Sequence, residues 1–360
     1  MPETQRPRPL PLRPFHLARG ARFEPAEGME RLVSYAGEEA EYRALYGGCA
    51  LFDVSDRGLL EVSGEARERF LQNLLTNDVV GLAPGAAILA CLLSRQSKVL
   101  SLMRLLADER RFLLDVEPGE NLPLLARLLK YRISQPVEIA DLTESFVRFS
   151  LRGPQAKRCA SLAGVGLWPP RGETGLTRGS WRGVALLVAS DFGRSLPRLE
   201  LLAPPEAAES LWEALVQAGA VPSGWGVLET SRLEAGEPRH GADVSEDNLF
   251  SETDLPEAVS HTKGCYVGQE IVTRVRTRGK VNRIRAGLRV QGRARGGEPV
   301  LLNGAPAGRV TSCARSPRLG TWLAFAYLKP EAASPGTALA VASPSAGSLP
   351  ATVADFPIQA

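Results

Sequence analysis

Histidine is scarce in this 360-residue chain: there are three, His16, His240 and His261, and no two stand at the spacing of a metal-binding pair. Cysteine is thinly spread as well. Cys49, Cys91, Cys159, Cys265 and Cys313 lie far apart with no Cys-x-x-Cys among them, a poor disulfide framework and a poor zinc or cluster cradle. Scattered thiols of this kind are expected to be reduced core residues, Cys265 excepted. An excess of one charge is also lacking: 43 basic residues against 40 acidic leave a formal +3, too little to argue for nucleic acid or a membrane surface. No apolar run reaches transmembrane length. A P-loop, a Gly-x-Gly-x-x-Gly fingerprint and a Ser-His-Asp order are all missing.

What remains is a globular composition, 44% hydrophobic and 23% charged, with length for two or three domains. The first residues are rich in Pro and Arg, with Arg6, Arg8, Arg13, Arg19 and Arg22, and hold no apolar segment of the kind a secretory signal needs. Residues 1–26 are therefore expected to form a solvated, flexible extension of a cytoplasmic protein.

From residue 27 onward the pattern is that of a folded chain. Gly58–Ser63 alternates as a strand, Gly64 turns it, and Phe70, Leu71, Leu74 and Leu75 recur at helical spacing. Apolar runs follow at Ile88–Leu93, Val99–Leu106 and Arg111–Val116, then a helix with Leu124, Leu125, Leu128 and Leu129. The order returns: strand Phe146–Leu151, turn at Gly153, helix Ala156–Leu162, strands Val184–Ala189 and Leu199–Leu202, and a helix with Leu211, Trp212, Leu215 and Val216. This predicts an α+β fold of two interleaved ferredoxin-like β-α-β-β-α units enclosing a central ligand cavity. From about Arg285 short apolar runs broken by Gly and Pro predict a small antiparallel β-barrel, residues 285–360.

The chemistry concentrates in Lys263-Gly264-Cys265-Tyr266-Val267-Gly268-Gln269-Glu270. Glycines let the backbone turn or approach a ligand closely. An ammonium two residues before a thiol favours the thiolate. Tyr266 offers a ring and a phenol, and Gln269 and Glu270 offer donors and acceptors. Arg274, Arg276 and Arg278 alternate with Val275 and Thr277, which predicts a basic strand face, either an anion site or a solvated edge. Without interleaved aromatics, direct nucleic-acid binding is the least favoured use of it.

This loop resembles the Lys-Gly-Cys-Tyr-x-Gly-Gln-Glu signature of YgfZ-type folate-binding proteins, a branch of the glycine-cleavage T-protein (aminomethyltransferase) superfamily. Ala50–Ser55, Phe70–Asp78, Arg232-Leu233-Glu234-Ala235-Gly236 and His240-Gly241-Ala242-Asp243 agree in order with the superfamily. The resemblance implies a folate-binding region over residues 27–284 with tetrahydrofolate, or a one-carbon derivative, as cofactor. It implies a functional pair in Cys265 and Lys263, and folate contacts from Glu234, Tyr266, Gln269, Glu270, Asp243 and Arg274. It also implies a role in assembling or repairing iron–sulfur clusters of client enzymes, tRNA-modifying ones included, with those clients or cluster-assembly proteins as partners. No metal site and no membrane partner are expected, and the chain is expected to be a monomer. The flavin domain that folate-linked demethylases need has no fingerprint here.

One departure separates the chain from aminomethyltransferases, which carry Gly-Gly-x-x-Asp-Asp near Gln96–Arg104. Here the acidic position is Ser101, and a hydroxyl cannot serve as an anion or base near neutral pH. Three readings stay open: a folate-binding accessory factor, a folate-dependent aminomethyltransferase, and an RNA- or protein-binding module without catalysis.

Overall fold

The computed structural model describes residues 9–26, 29–133, 135–167, 175–191, 196–279 and 281–358. The chain forms two compact units, each built from discontinuous segments: Met1–Gln72, Asp78–Ala90 and Met103–Leu228 in the first, Asn73–Asn77, Cys91–Leu102 and Glu229–Ala360 in the second.

The first unit opens with α1 (Arg13–Leu17), the hairpin β1 (Arg22–Ala26) and β2 (Met29–Ser34), α2 (Glu38–Gly47) and β3 (Ala50–Asp53). Then come β4 (Gly58–Ser63), α3 (Arg67–Gln72), β5 (Ala87–Leu93), β6 (Val99–Ala107), β7 (Arg111–Val116), α4 (Asn121–Tyr131) and β8 (Glu138–Asp141). The second half repeats the order with β9 (Val147–Arg152), α5 (Ala156–Leu162), β10 (Gly166–Leu167), β11 (Gly175–Trp181), β12 (Val184–Asp191), β13 (Arg198–Ala203), α6 (Ala208–Gln217) and β14 (Val221–Pro222). One sheet runs β5-β6-β7-β4-β8, the other β10-β11-β12-β13-β9-β3-β14. The halves interleave because β3, from the start of the chain, inserts between β9 and β14. Each half holds three main strands between its helices. Apolar runs revealed only two in the second half, because β11 carries Gly175, Thr177, Arg178, Gly179 and Ser180.

Period-two alternation assigns the faces. Val147, Phe149 and Leu151 of β9 and Leu199, Leu201 and Ala203 of β13 pack with Leu211, Trp212 and Leu215 of α6 in one core. On the opposite face Leu187, Ala189 and Leu202 meet Leu59, Leu106 and Leu113 of the first sheet. Gly153 needs its glycine: φ is +116°, and a Cβ would stand 2.5 Å from Leu45 O.

The expected flexible extension is corrected over residues 9–26. Leu12 and Phe15 join the core, and His16, fully buried, lies 2.8 Å from Asp53 Oδ2 and 2.6 Å from the Tyr35 hydroxyl. A proline at the start of a helix and two core-facing apolar side chains suffice to fold a segment whose arginines suggested a solvated tail.

In the second unit lie α7 (Trp225–Ala235) from Glu229 onward, α8 (Gln269–Arg278), and six strands: β15 (Ile284–Val290), β16 (Pro299–Leu302), β17 (Ala305–Ser316), β18 (Thr321–Leu328), β19 (Ala338–Ser343) and β20 (Gly347–Ala354). These close antiparallel in the order β15-β18-β17-β16-β19-β20, the expected barrel, around Leu288, Val290, Val310, Ala326 and Val341. Among the described residues no helix is long and apolar enough to cross a membrane.

Candidate folate-binding site

All eight residues singled out by sequence fall in the second unit, but not in one role. Lys263 is buried, and its ammonium donates to Leu75 O at 2.6 Å and Asn77 O at 2.8 Å while standing 5.2 Å from the centre of the Tyr266 ring. The Lys263 charge thus serves backbone carbonyls and a ring face. Two further bonds stitch the segment Asn73–Asn77 to the stretch before the loop. Thr76 Oγ1 donates to Ala258 O, and Asn77 Nδ2 donates to Glu257 O at 2.8 Å. The Thr76-Asn77 pair quoted from sequence is thus the floor of the Lys-Gly-Cys-Tyr loop.

Tyr266 is buried beside it. Burial, with Cys91 nearby, pushes its phenol up to about 12, so it is a neutral hydrogen-bonding group at physiological pH. Cys265 is the one exposed thiol of the five. Gly268, at φ +84°, ends the loop in the left-handed region, where a Cβ would lie 2.5 Å from Ser94 O. Ser97 Oγ donates to Gly268 O, which ties the segment Cys91–Leu102 to the loop.

The expected basic strand is a helix. Left-handed glycines, Gly268 and Gly279, bracket α8, while Ile271, Val272 and Val275 turn inward at helical spacing. Arg-Val-Arg-Thr-Arg alternation mimicked period two over too few residues to decide. Glu270 and Arg274, at i and i+4, pair with each other at 2.6 Å on the exposed face. Gln269 is half-buried at the first position of the helix.

Asp243 is fully engaged. Its Oδ2 accepts from Arg232 Nη1 at 2.6 Å and Arg239 N at 3.0 Å, and its Oδ1 accepts from Thr311 and Ser312 hydroxyls, both at 2.6 Å. Burial alone would raise this carboxyl, yet the Arg232 guanidinium and these hydroxyls hold it below the ordinary range. Through these bonds Asp243 anchors α7 to β17. Glu234 is buried too; its Oε1 accepts from Ser316 Oγ at 2.5 Å, and Arg318 Nη2 lies 4.0 Å from Oε2. Sequence reasoning missed Thr311, Ser312 and Ser316, because barrel hydroxyls carry no local signal of a distant carboxylate partner.

Two buried hydroxyls have no hydrogen-bond partner among the described residues, Ser101 Oγ and Tyr327 Oη. Orphaned buried polar atoms carry a cost that a polar ligand removes, so this unit offers groups that fit a pterin: Ser101, Tyr327, Tyr266 and the carboxylate of Glu234.

Residues 12–163 match the GCVT N-terminal domain and residues 283–358 the glycine cleavage T-protein C-terminal barrel domain. The chain is 35% identical to an aminomethyltransferase of Rubrobacter xylanophilus, over 90% of this chain and 88% of that one. It is 31% identical to an aminomethyltransferase of Synechococcus, over 91% and 92% respectively. The glycine cleavage system aminomethyltransferase T of Bartonella henselae superposes with a TM-score of 0.86 at 24% identity, covering 98% of both chains, and shares the fold.

Proposed function

The chain belongs to the glycine-cleavage T-protein (aminomethyltransferase) family, whose members bind tetrahydrofolate, and from that premise we propose that it is a cytoplasmic tetrahydrofolate-binding protein of the YgfZ branch. In this reading it serves the assembly or repair of iron–sulfur clusters in client enzymes and does not run the glycine-cleavage reaction. The observation that carries it is Ser101, a fully buried hydroxyl that the sequence resemblance sets against the catalytic aspartate of aminomethyltransferases, in a unit that also presents the exposed Cys265.

Glu234 is assigned to the pterin, since a carboxylate accepts two parallel N–H bonds from a 2-amino-pyrimidine edge. Tyr266 supplies a phenol and a ring face. When bound, tetrahydrofolate supplies an amine that carries a one-carbon unit. Glu270 and Arg274 already satisfy each other at the surface, so their part in folate binding is at most at the tail.

A second reading, a working aminomethyltransferase, is favoured by the 35% identity to a relative of that name. Two measurements on the wild-type protein separate the readings: calorimetric titration with tetrahydrofolate, and folate-dependent release of ammonia from an aminomethyl donor. One-site binding without turnover supports the accessory role. Turnover at an enzyme's rate establishes the second reading, and no binding at millimolar folate removes both.

A further inference from the structure

The apolar side chains of α4 point in two directions. Leu124 and Leu128 are fully buried on the side of the helix that packs against β4 and β8. Leu122 and Leu129 lie on the opposite side, 45% and 43% exposed, with Ala126 exposed between them. Ile133, two residues past the helix, is 79% exposed. Leu122, Leu129, Tyr131 and Ile133 make up four of the eight exposed large apolar side chains among the described residues, so this surface is concentrated on one short stretch rather than scattered.

Leu122, Ala126, Leu129 and Ile133 are spaced 4, 3 and 4, the seam spacing of two helices packed side by side. At 3.6 residues per turn the three helical members fall within a stripe about 60° wide, and Ile133 extends it past the last turn. In this frame Lys130 and Arg132 flank the seam, one on each side. Both are exposed, and no ion pair reaches either among the described residues. Asp141 of the neighbouring β8 is engaged at the other end of the helix, where it accepts from Asn121 Nδ2 at 2.7 Å and from the Thr143 hydroxyl.

These features select the occupant. A helix lying on a lipid surface turns a broad apolar face to it, whereas this stripe is narrow. The positions beside the seam hold Pro123, Leu125, Lys130 and Arg132, so a second copy of α4 would bring no carboxylate to the two cations. We propose that the outer face of α4 is a docking surface for an amphipathic helix of a partner protein, one that carries apolar residues at seam spacing and carboxylates beside them. Leu122 and Leu129 pack against the partner's seam, the small Ala126 admits a large side chain between them, and Lys130 and Arg132 meet the flanking carboxylates. The surface goes beyond the folate reading and does not rest on it.

The test uses the full chain and two labelled synthetic peptides of three heptads, both with leucine at the seam positions. One carries glutamate beside the seam and the other lysine, and each is titrated by fluorescence anisotropy. The glutamate peptide is expected to bind saturably, at least about tenfold tighter than the lysine peptide, and less tightly as salt rises. Leu129→Ser and Ile133→Ser alter exposed side chains, so both should keep the wild-type Tm while weakening the glutamate peptide by at least about fivefold. Lys130→Glu combined with Arg132→Glu should invert the preference between the peptides. The proposal is overturned if the two peptides bind alike, if Leu129→Ser binds as the wild type does, or if the charge reversal leaves the preference unchanged. Two other occupants are checked on the same protein, by co-sedimentation with phosphatidylglycerol vesicles and by sedimentation velocity of the chain alone. Vesicle binding, or a dimer, that Leu129→Ser abolishes assigns the face to lipid or to a second copy and overturns the proposal as well.

Discussion

Arg232 Nη1 donates to Asp243 Oδ2 at 2.6 Å, and the pair is closed off by the hydroxyls of Thr311 and Ser312. This joins two motifs eleven positions apart in the chain to the wall of the barrel. Removing one partner of such a buried pair leaves the other uncompensated, so Asp243→Asn should cost about 3–5 kcal/mol. The pH dependence follows from the direction of the shift. The folded carboxyl titrates below its unfolded value near 3.9, so its contribution is complete above that value and is lost as pH falls through the folded pKa. Melting curves from neutral to acid pH should therefore show wild type and Asp243→Asn converging as the acid is added. Parallel curves would show that the pair contributes nothing through ionisation.

The barrel and the doubled α+β order were legible because period and turn signals are local. The fate of α8 was not, since five alternating residues fit a strand as well as a helix until the left-handed glycines on both sides are seen. Lys263 and Asp243 could be singled out by type, but their partners, Leu75 O, Asn77 O, Thr311 and Ser312, lie 68 or more positions away. The buried ion pair of Arg148 and Glu200 went unnoticed although a lone charge inside an apolar strand was the available signal.

Two glycines of the same loop should respond unequally to alanine. Gly268 sits at φ +84° with Ser94 O in the path of a Cβ, whereas Gly264 has open space around it. Gly268→Ala is expected to lose about 1–3 kcal/mol, and Gly264→Ala to stay within about 0.5 kcal/mol. Urea unfolding of both variants checks this; equal losses would mean that the loop is not held as described.

Cys265 is exposed and takes no part in the core, so Cys265→Ser should leave Tm and the tetrahydrofolate affinity within experimental error of wild type. Activity of iron–sulfur client enzymes in cells carrying only this variant should fall several-fold. Full client activity at wild-type protein levels would remove the thiol from the mechanism and leave the loop as a structural feature.

Ser101 offers the sharpest reversal. Its hydroxyl is fully buried and unpartnered among the described residues, so an aspartate there would place a carboxyl in a buried position. Desolvation should raise the new carboxyl above its ordinary value, and Ser101→Asp should cost about 1–3 kcal/mol of stability in the absence of ligand. If Ser101 holds the place of the family's catalytic carboxylate, the variant should gain aminomethyl-transfer activity at least about tenfold over the wild-type background, rising with pH as the carboxyl ionises. Ammonia release measured across pH on both proteins decides it. No gain in a variant that still binds folate as tightly as wild type would mean that more than one carboxylate separates this chain from the enzymes it resembles, and wild-type turnover at the variant's rate would mean that the serine is no loss at all.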